Sequence, residues 1–125
     1  MIRSNSKKAI ENIRKYITEN FDCSAYDMES PSDFKGIAKT IITTFETEKW
    51  KWEKGRKNHL EAFTEWASGL PTILDCCYYY SRSAVKDVAM ILEESTEEAN
   101  KYTESEAEKL LTWLIYRECM KACRK

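Results

Sequence analysis

The stretch from Lys109 to Met120, Lys-Leu-Leu-Thr-Trp-Leu-Ile-Tyr-Arg-Glu-Cys-Met, constrains this chain more than any other. At helical spacing Ala107, Leu110, Leu111, Leu114 and Ile115 line one face, and Trp113, Tyr116 and Met120 line the other. A helix on the outside of a small domain needs a single apolar stripe. One that is apolar on nearly every side has to be covered on two, by its own chain or by a partner. Its start is written just upstream. In Thr103-Glu104-Ser105-Glu106 the Thr103 hydroxyl can accept from the Glu106 amide while the Glu106 carboxylate reaches back, with Tyr102 and Ala107 at the staple positions. Arg117, Lys121, Arg124 and Lys125 fall near the negative end of the same helix.

The rest of the chain supplies helices to cover it. Three Gly and two Pro in 125 residues are too few for the frequent turns of an all-β fold. Ile10, Ile13 and Ile17 share a face after Ser6, with Tyr16 at its border. Ser30-Pro31-Ser32-Asp33 reads as a second helix entry, with Ser30 as cap and Pro31 at the first position. Phe34, Ile37, Ala38, Ile41 and Phe45 follow, the pattern weakens toward Trp52, and Gly55 marks a break. Leu60, Phe63 and Ala67 form a third stripe, flanked by His59 and Trp66 and stopped by Gly69-Leu70-Pro71. Ser81 or Ser83 can cap a fourth helix whose buried stripe is Val85, Val88, Ala89 and Leu92, with Met90 and Ile91 at the edges. Residues 72–80 fit either a short helix or an extended run, and Glu93–Lys101 is a polar connection with room for one helical turn. The expectation is an all-α, compact single-domain bundle of five or six helices spanning residues 1–125, with the apolar C-terminal helix at its centre.

No apolar run follows the first basic residues, and no run of roughly 18 apolar residues occurs, so neither a signal peptide nor a membrane span is expected. Five cysteines, an odd number with Cys76 and Cys77 adjacent, fit reduced thiols in a cytoplasmic setting. Cys76, Cys77, Cys119 and Cys123 lack closely spaced ligand knuckles, so packing is favoured over a zinc site, with or without His59. His59 is the single histidine, and no phosphate loop, nucleophile elbow or paired-histidine motif is present. Asp75, between Leu74 and Cys76, comes nearest to a carboxylate with an apolar neighbourhood. No catalytic residue, cofactor or metal is therefore assigned, and the chain is read as a binding protein, not an enzyme.

Three surfaces could carry binding. Four Trp and seven Tyr exceed what a helical core of this size needs, and Trp and Tyr are enriched at interface hot spots. Tyr78, Tyr79, Trp113, Tyr116 and Met120 are the candidate contacts to a protein partner or a second copy. The alternative is nucleic acid at Lys49, Trp50, Lys51, Lys54, Arg56 and Lys57, where cations can meet phosphates and a Trp can stack on a base. Neighbouring residues on a helix point to different faces, so at least one of Trp50 and Trp52 should enter the core. The overall charge of −1 gives no global field for nucleic acid. A third surface is acidic. Seven glutamates between Glu93 and Glu108 could engage a basic partner, or occupy the nucleic-acid groove of a defence protein as a mimic.

Between Glu61 and Cys119, the runs Glu-Trp-Ala-Ser-Gly-Leu-Pro, Cys-Tyr-Tyr-Tyr and Lys-Tyr-Thr-Glu, followed by Leu-Leu-Thr-Trp-Leu-Ile-Tyr, resemble small uncharacterised helical accessory proteins of phages and conjugative elements of gut bacteria. The resemblance covers about half the chain. It implies no catalytic residues. It implies an accessory factor that binds host or phage machinery, inhibitors of defence systems included.

Overall fold

The computed structural model describes residues 2–20, 33–69 and 83–124. Ser6 Oγ accepts from the Ala9 amide (3.1 Å) and starts α1, Lys7–Asn20. The helix buries Ala9, Ile13, Tyr16 and Ile17. Tyr16, expected at the border of the stripe, is inside it. Its hydroxyl donates to Asp87 Oδ2 (3.2 Å), which satisfies two buried polar groups at once.

The second helix, α2, runs Phe34–Phe45 and starts later than the Ser30-Pro31 reading expects. Asp33 is in extended backbone and its carboxylate accepts from the Gly36 amide (2.9 Å), so it is the cap. Ser30 and Pro31 lie outside the described residues. The β-branched run at Ile41 to Thr44 stays helical because Ile37, Ala38, Ile41, Ile42 and Phe45 are all buried. Packing of that face, about 1.5–3 kcal/mol for each large apolar side chain, outweighs propensity differences of a few tenths. The chain then widens into one π turn, Glu46–Trp50, and a single turn of α3, Lys51–Glu53. Gly55 ends the run at φ +91°, a conformation in which a side chain costs energy.

Helix α4 spans His59–Gly69, so Gly69 lies within the helix and not just past its end. Leu70, Pro71 and residues 72–80, with Tyr78 and Tyr79, lie outside the described residues. Ser83 Oγ caps α5, Ala84–Ile91, by accepting from the Lys86 amide. The buried stripe of α5 is rotated from the expected one: Ala84, Val88 and Ile91 are buried with Leu92, while Val85 and Ala89 are half-buried and Met90 is exposed. The reason is Asp87, which sits within the stripe because Tyr16 receives it. One helical turn, α6 at Thr96–Ala99, interrupts the polar connection and carries its own Ser95/Glu98 capping box.

The last helix, α7, runs Glu104–Cys123 from the expected Thr103/Glu106 capping box. It is central: α1, α2, α4 and α5 all pack against it. Ala107, Leu111, Leu114, Ile115 and Cys119 are buried, and Leu110, Tyr116 and Met120 are partly covered by the same core. The architecture is all-α, with no strand among the described residues beyond one isolated pairing of Lys54 with Lys57. No described helix is long and apolar enough to cross a membrane.

Candidate binding sites at two exposed tryptophans

Among the described residues the large apolar side chains left in solvent are Trp52 (67% exposed), Met90 (61%) and Trp113 (38%). The two tryptophans each carry a cation on the ring, and their surroundings differ.

Trp113 lies on the outward strip of α7. The Arg117 guanidinium sits 5.0 Å from its ring centroid. Lys121 and Arg124 continue the strip at spacings that keep one helix face. Leu110 and Met120, both half-buried, share that face. Tyr116 turns inward instead. Its hydroxyl shares a 2.7 Å hydrogen bond with His59 Nδ1, and its ring packs on Phe63 with centroids 5.1 Å apart. Burial raises the pKa of that hydroxyl.

Beneath the strip is Glu118, a fully buried carboxylate. Arg117 Nε donates to its Oε2 (2.9 Å), Lys121 Nζ lies 3.5 Å from the same oxygen, and Arg14 Nε reaches Oε1 (3.4 Å). Arg117 also donates through Nη2 to the Ser4 carbonyl (2.5 Å), and Arg14 lies over the Phe34 ring at 5.0 Å. These contacts join the two ends of the chain and gather their charge. Arg3, Lys7, Lys8, Arg14 and Lys15 stand against Glu11 and Glu19 at one end, and Arg117, Lys121 and Arg124 against Glu118 at the other. Three cations, Arg14, Arg117 and Lys121, around one carboxylate make the meeting of α1 with the second half of α7 a locally positive pole. Sequence reading missed this pole because its halves are about a hundred residues apart. A signal was present: Glu118 falls on the apolar arc of its helix, between Leu114 and Ala122, where a carboxylate demands cationic company.

Trp52 lies on the turn between α2 and α4. Of the cations expected there, Lys49 and Lys57 are already paired. Lys49 Nζ is 3.5 Å from Glu53 and 3.4 Å from Glu65, and Lys57 contacts the same two carboxylates. The Lys57–Glu65 hydrogen bond raises the pKa of the lysine and lowers that of the glutamate. Trp50 is half-buried, edge-on to His59 with centroids 4.9 Å apart, so it is the tryptophan that enters the core. The Trp52 ring has Lys51 Nζ 4.9 Å from its centroid. Lys51, Lys54 and Arg56 are exposed and pair with no carboxylate among the described residues. The backbone fixes this tip: the Lys54 amide donates to the Trp50 carbonyl (2.9 Å), and the Arg56 and Lys57 amides to that of Glu53 (2.8 and 3.1 Å).

The acidic stretch is largely committed within the fold. Glu98 and Glu106 close capping boxes. Glu104 accepts from the Ala84 amide and the Ser83 hydroxyl. Glu94 accepts from Tyr102 (2.7 Å), whose pKa burial and that carboxylate push up to about 12. Glu93, Glu97 and Glu108 remain exposed, Glu93 taking a bond from Asn12.

The ring nitrogens of His59 meet Tyr116 and, at 3.5 Å, Glu46. Cys119 is buried, which raises the pKa of its thiol, and Cys123 is exposed. No group of three or more metal-ligating side chains occurs among the described residues. Cys23, Asp75, Cys76 and Cys77 lie outside them. Comparisons with protein-family models, with curated proteins and with solved structures find no match.

Proposed function

We propose that this chain is a non-catalytic protein-interaction module that presents the outward strip of α7 to an acidic protein surface. The observation that carries the reading is Trp113, left exposed on the central helix with Arg117 on its ring and half-buried Leu110 and Met120 beside it. Trp, Met and Arg are the residue types enriched at protein interfaces. The half-buried neighbours can form the water-excluding rim that a hot-spot tryptophan requires. Glu118 and the Ser4 carbonyl already hold Arg117 in place, so less side-chain entropy is lost on binding. Arg117, Lys121 and Arg124 set the sign of the partner.

The free thiols Cys119 and Cys123 support a reducing, cytoplasmic setting. The resemblance in residues 61–119 supports an accessory role on a phage or mobile element. The test is quantitative capture from the host with three baits: the native chain, Trp113→Ala and Arg117→Glu. A partner recovered by the native chain and depleted at least tenfold by both variants is the expected result. An identical set recovered by all three overturns the reading.

A further inference from the structure

We propose that the turn bearing Trp52 is a second, separate site, and that its ligand is single-stranded nucleic acid held by base stacking on Trp52 and by phosphate contacts from Lys51, Lys54 and Arg56. The first ground is exposure. Trp52 is the most exposed large apolar side chain among the described residues, and packing among those residues does not account for it. The second is the sorting of charge within the turn. Lys49 and Lys57 are consumed by Glu53 and Glu65, which pins the turn to α4. Lys51, Lys54 and Arg56 are left over, so a segment of mixed charge has a tip that is positive. The third is rigidity: backbone hydrogen bonds across Trp50 to Lys57 and the left-handed Gly55 hold the backbone that carries the ring and the cations.

The surroundings of the ring select the class of ligand. Glu48, Lys49, Lys51, Glu53 and Lys54, which flank Trp52 in sequence, are all charged, and half-buried Trp50 turns to His59, so the described part of the turn offers no apolar rim like that of Trp113. A protein hot spot needs such a rim. A base needs only an open π face, and any base has one to offer. Lys51 Nζ lies over one face of the indole, and with 67% of Trp52 exposed the residue keeps surface for stacking. In a duplex that base face is already covered by its neighbours, which selects unpaired strands.

The test is fluorescence anisotropy of a labelled oligothymidylate, an oligouridylate and a hairpin duplex with the full chain, from low to physiological salt. Both single strands bind better than the duplex, and three phosphate contacts give a slope of log K against log salt of about −2. Trp52→Ala weakens binding about tenfold or more, as loss of one stacking partner does, and Trp52→Phe retains most of it. Charge reversal at Lys51, Lys54 and Arg56 together abolishes binding. Arg117→Glu leaves it unchanged, which separates this site from the positive pole at α7. Lys51, Trp52, Lys54 and Arg56 are exposed and Arg117 is half-buried against Glu118, and thermal melting followed by circular dichroism verifies that each variant folds. Absence of binding at low salt overturns the proposal. So does binding that survives Trp52→Ala, binding lost through Arg117→Glu, or preference for the duplex.

Discussion

Trp113 and Trp52 are both exposed and both topped by a cation, yet they are built in different ways. Trp113 stands on a long helix that four others brace, with apolar neighbours beside it and a buried carboxylate beneath it. Trp52 stands on a turn that begins with a π turn and closes on a left-handed glycine, and most of its sequence neighbours there are charged. An exposed tryptophan therefore does not by itself name a partner. What surrounds the ring decides whether it can be sealed from water by another protein or only covered on one face by a flat ring.

The comparison breaks most visibly at Glu118. Glu118→Gln keeps the shape but removes the charge from a fully buried site and leaves Arg14, Arg117 and Lys121 facing a neutral amide. Loss of one partner from a buried ionic cluster costs about 3 kcal/mol, read as a lower midpoint in urea unfolding. The same variant frees Arg117 from its fixed position and weakens whatever the α7 strip binds. It leaves oligonucleotide affinity at Trp52 unaltered. Gly55→Ala is the counterpart at the turn. The new methyl group has no atom within 4 Å, so the cost comes from φ +91° alone, about 1–2 kcal/mol for an L residue in that region. Here the oligonucleotide is lost and the α7 contact is kept.

How much of this was readable beforehand follows from the range of the interactions. Local signals held. The Thr103/Glu106 box, the Ser83 cap, the helical turn within Glu93–Lys101 and the break at Gly55 all depend on residues within a few positions of one another. The central place of α7 was legible because an all-round apolar helix has few alternatives. Long-range pairing was not. Tyr16 and Asp87 are 71 residues apart, and their bond rotates the stripe of α5 away from the Val85 and Ala89 reading. Arg14 and Glu118 are 104 apart, and only their meeting turns two ordinary basic segments into a pole. Within the candidate sites, the basic turn was visible as a composition. Which of its cations are spent was not, because Glu65 lies on the next helix.

A smaller effect separates the two regions by pH. Glu65 has its pKa lowered by its hydrogen bond to Lys57, so its share of stability is present above the ordinary carboxylate value and fades as pH falls through the depressed one. Lys57 is raised by the same bond, so its share is complete below the ordinary lysine value and fades as pH rises through the elevated one. Between those limits the pinning of the turn is flat with pH. Glu65→Gln should remove this dependence and reduce the salt sensitivity of stability, because both groups are solvent-accessible and screened. Stability measured against pH for the native chain and for Glu65→Gln checks it. Curves that stay parallel below pH 5 would show the ion pair to be absent in solution.

The smallest expected effect sharpens the comparison most. Trp52→Ala should leave stability within about 0.5 kcal/mol, the range for surface positions away from packing, because two thirds of the side chain is already in water. Trp113→Ala should cost slightly more, up to about 1 kcal/mol, because its ring is partly covered and loses the Arg117 contact. If both variants unfold at nearly the native urea concentration, neither ring is retained for the sake of the fold, and each is free to be judged by what it binds. A loss of several kcal/mol at Trp52 would instead place that ring within a packed interior and remove the ground for treating the turn as a surface at all.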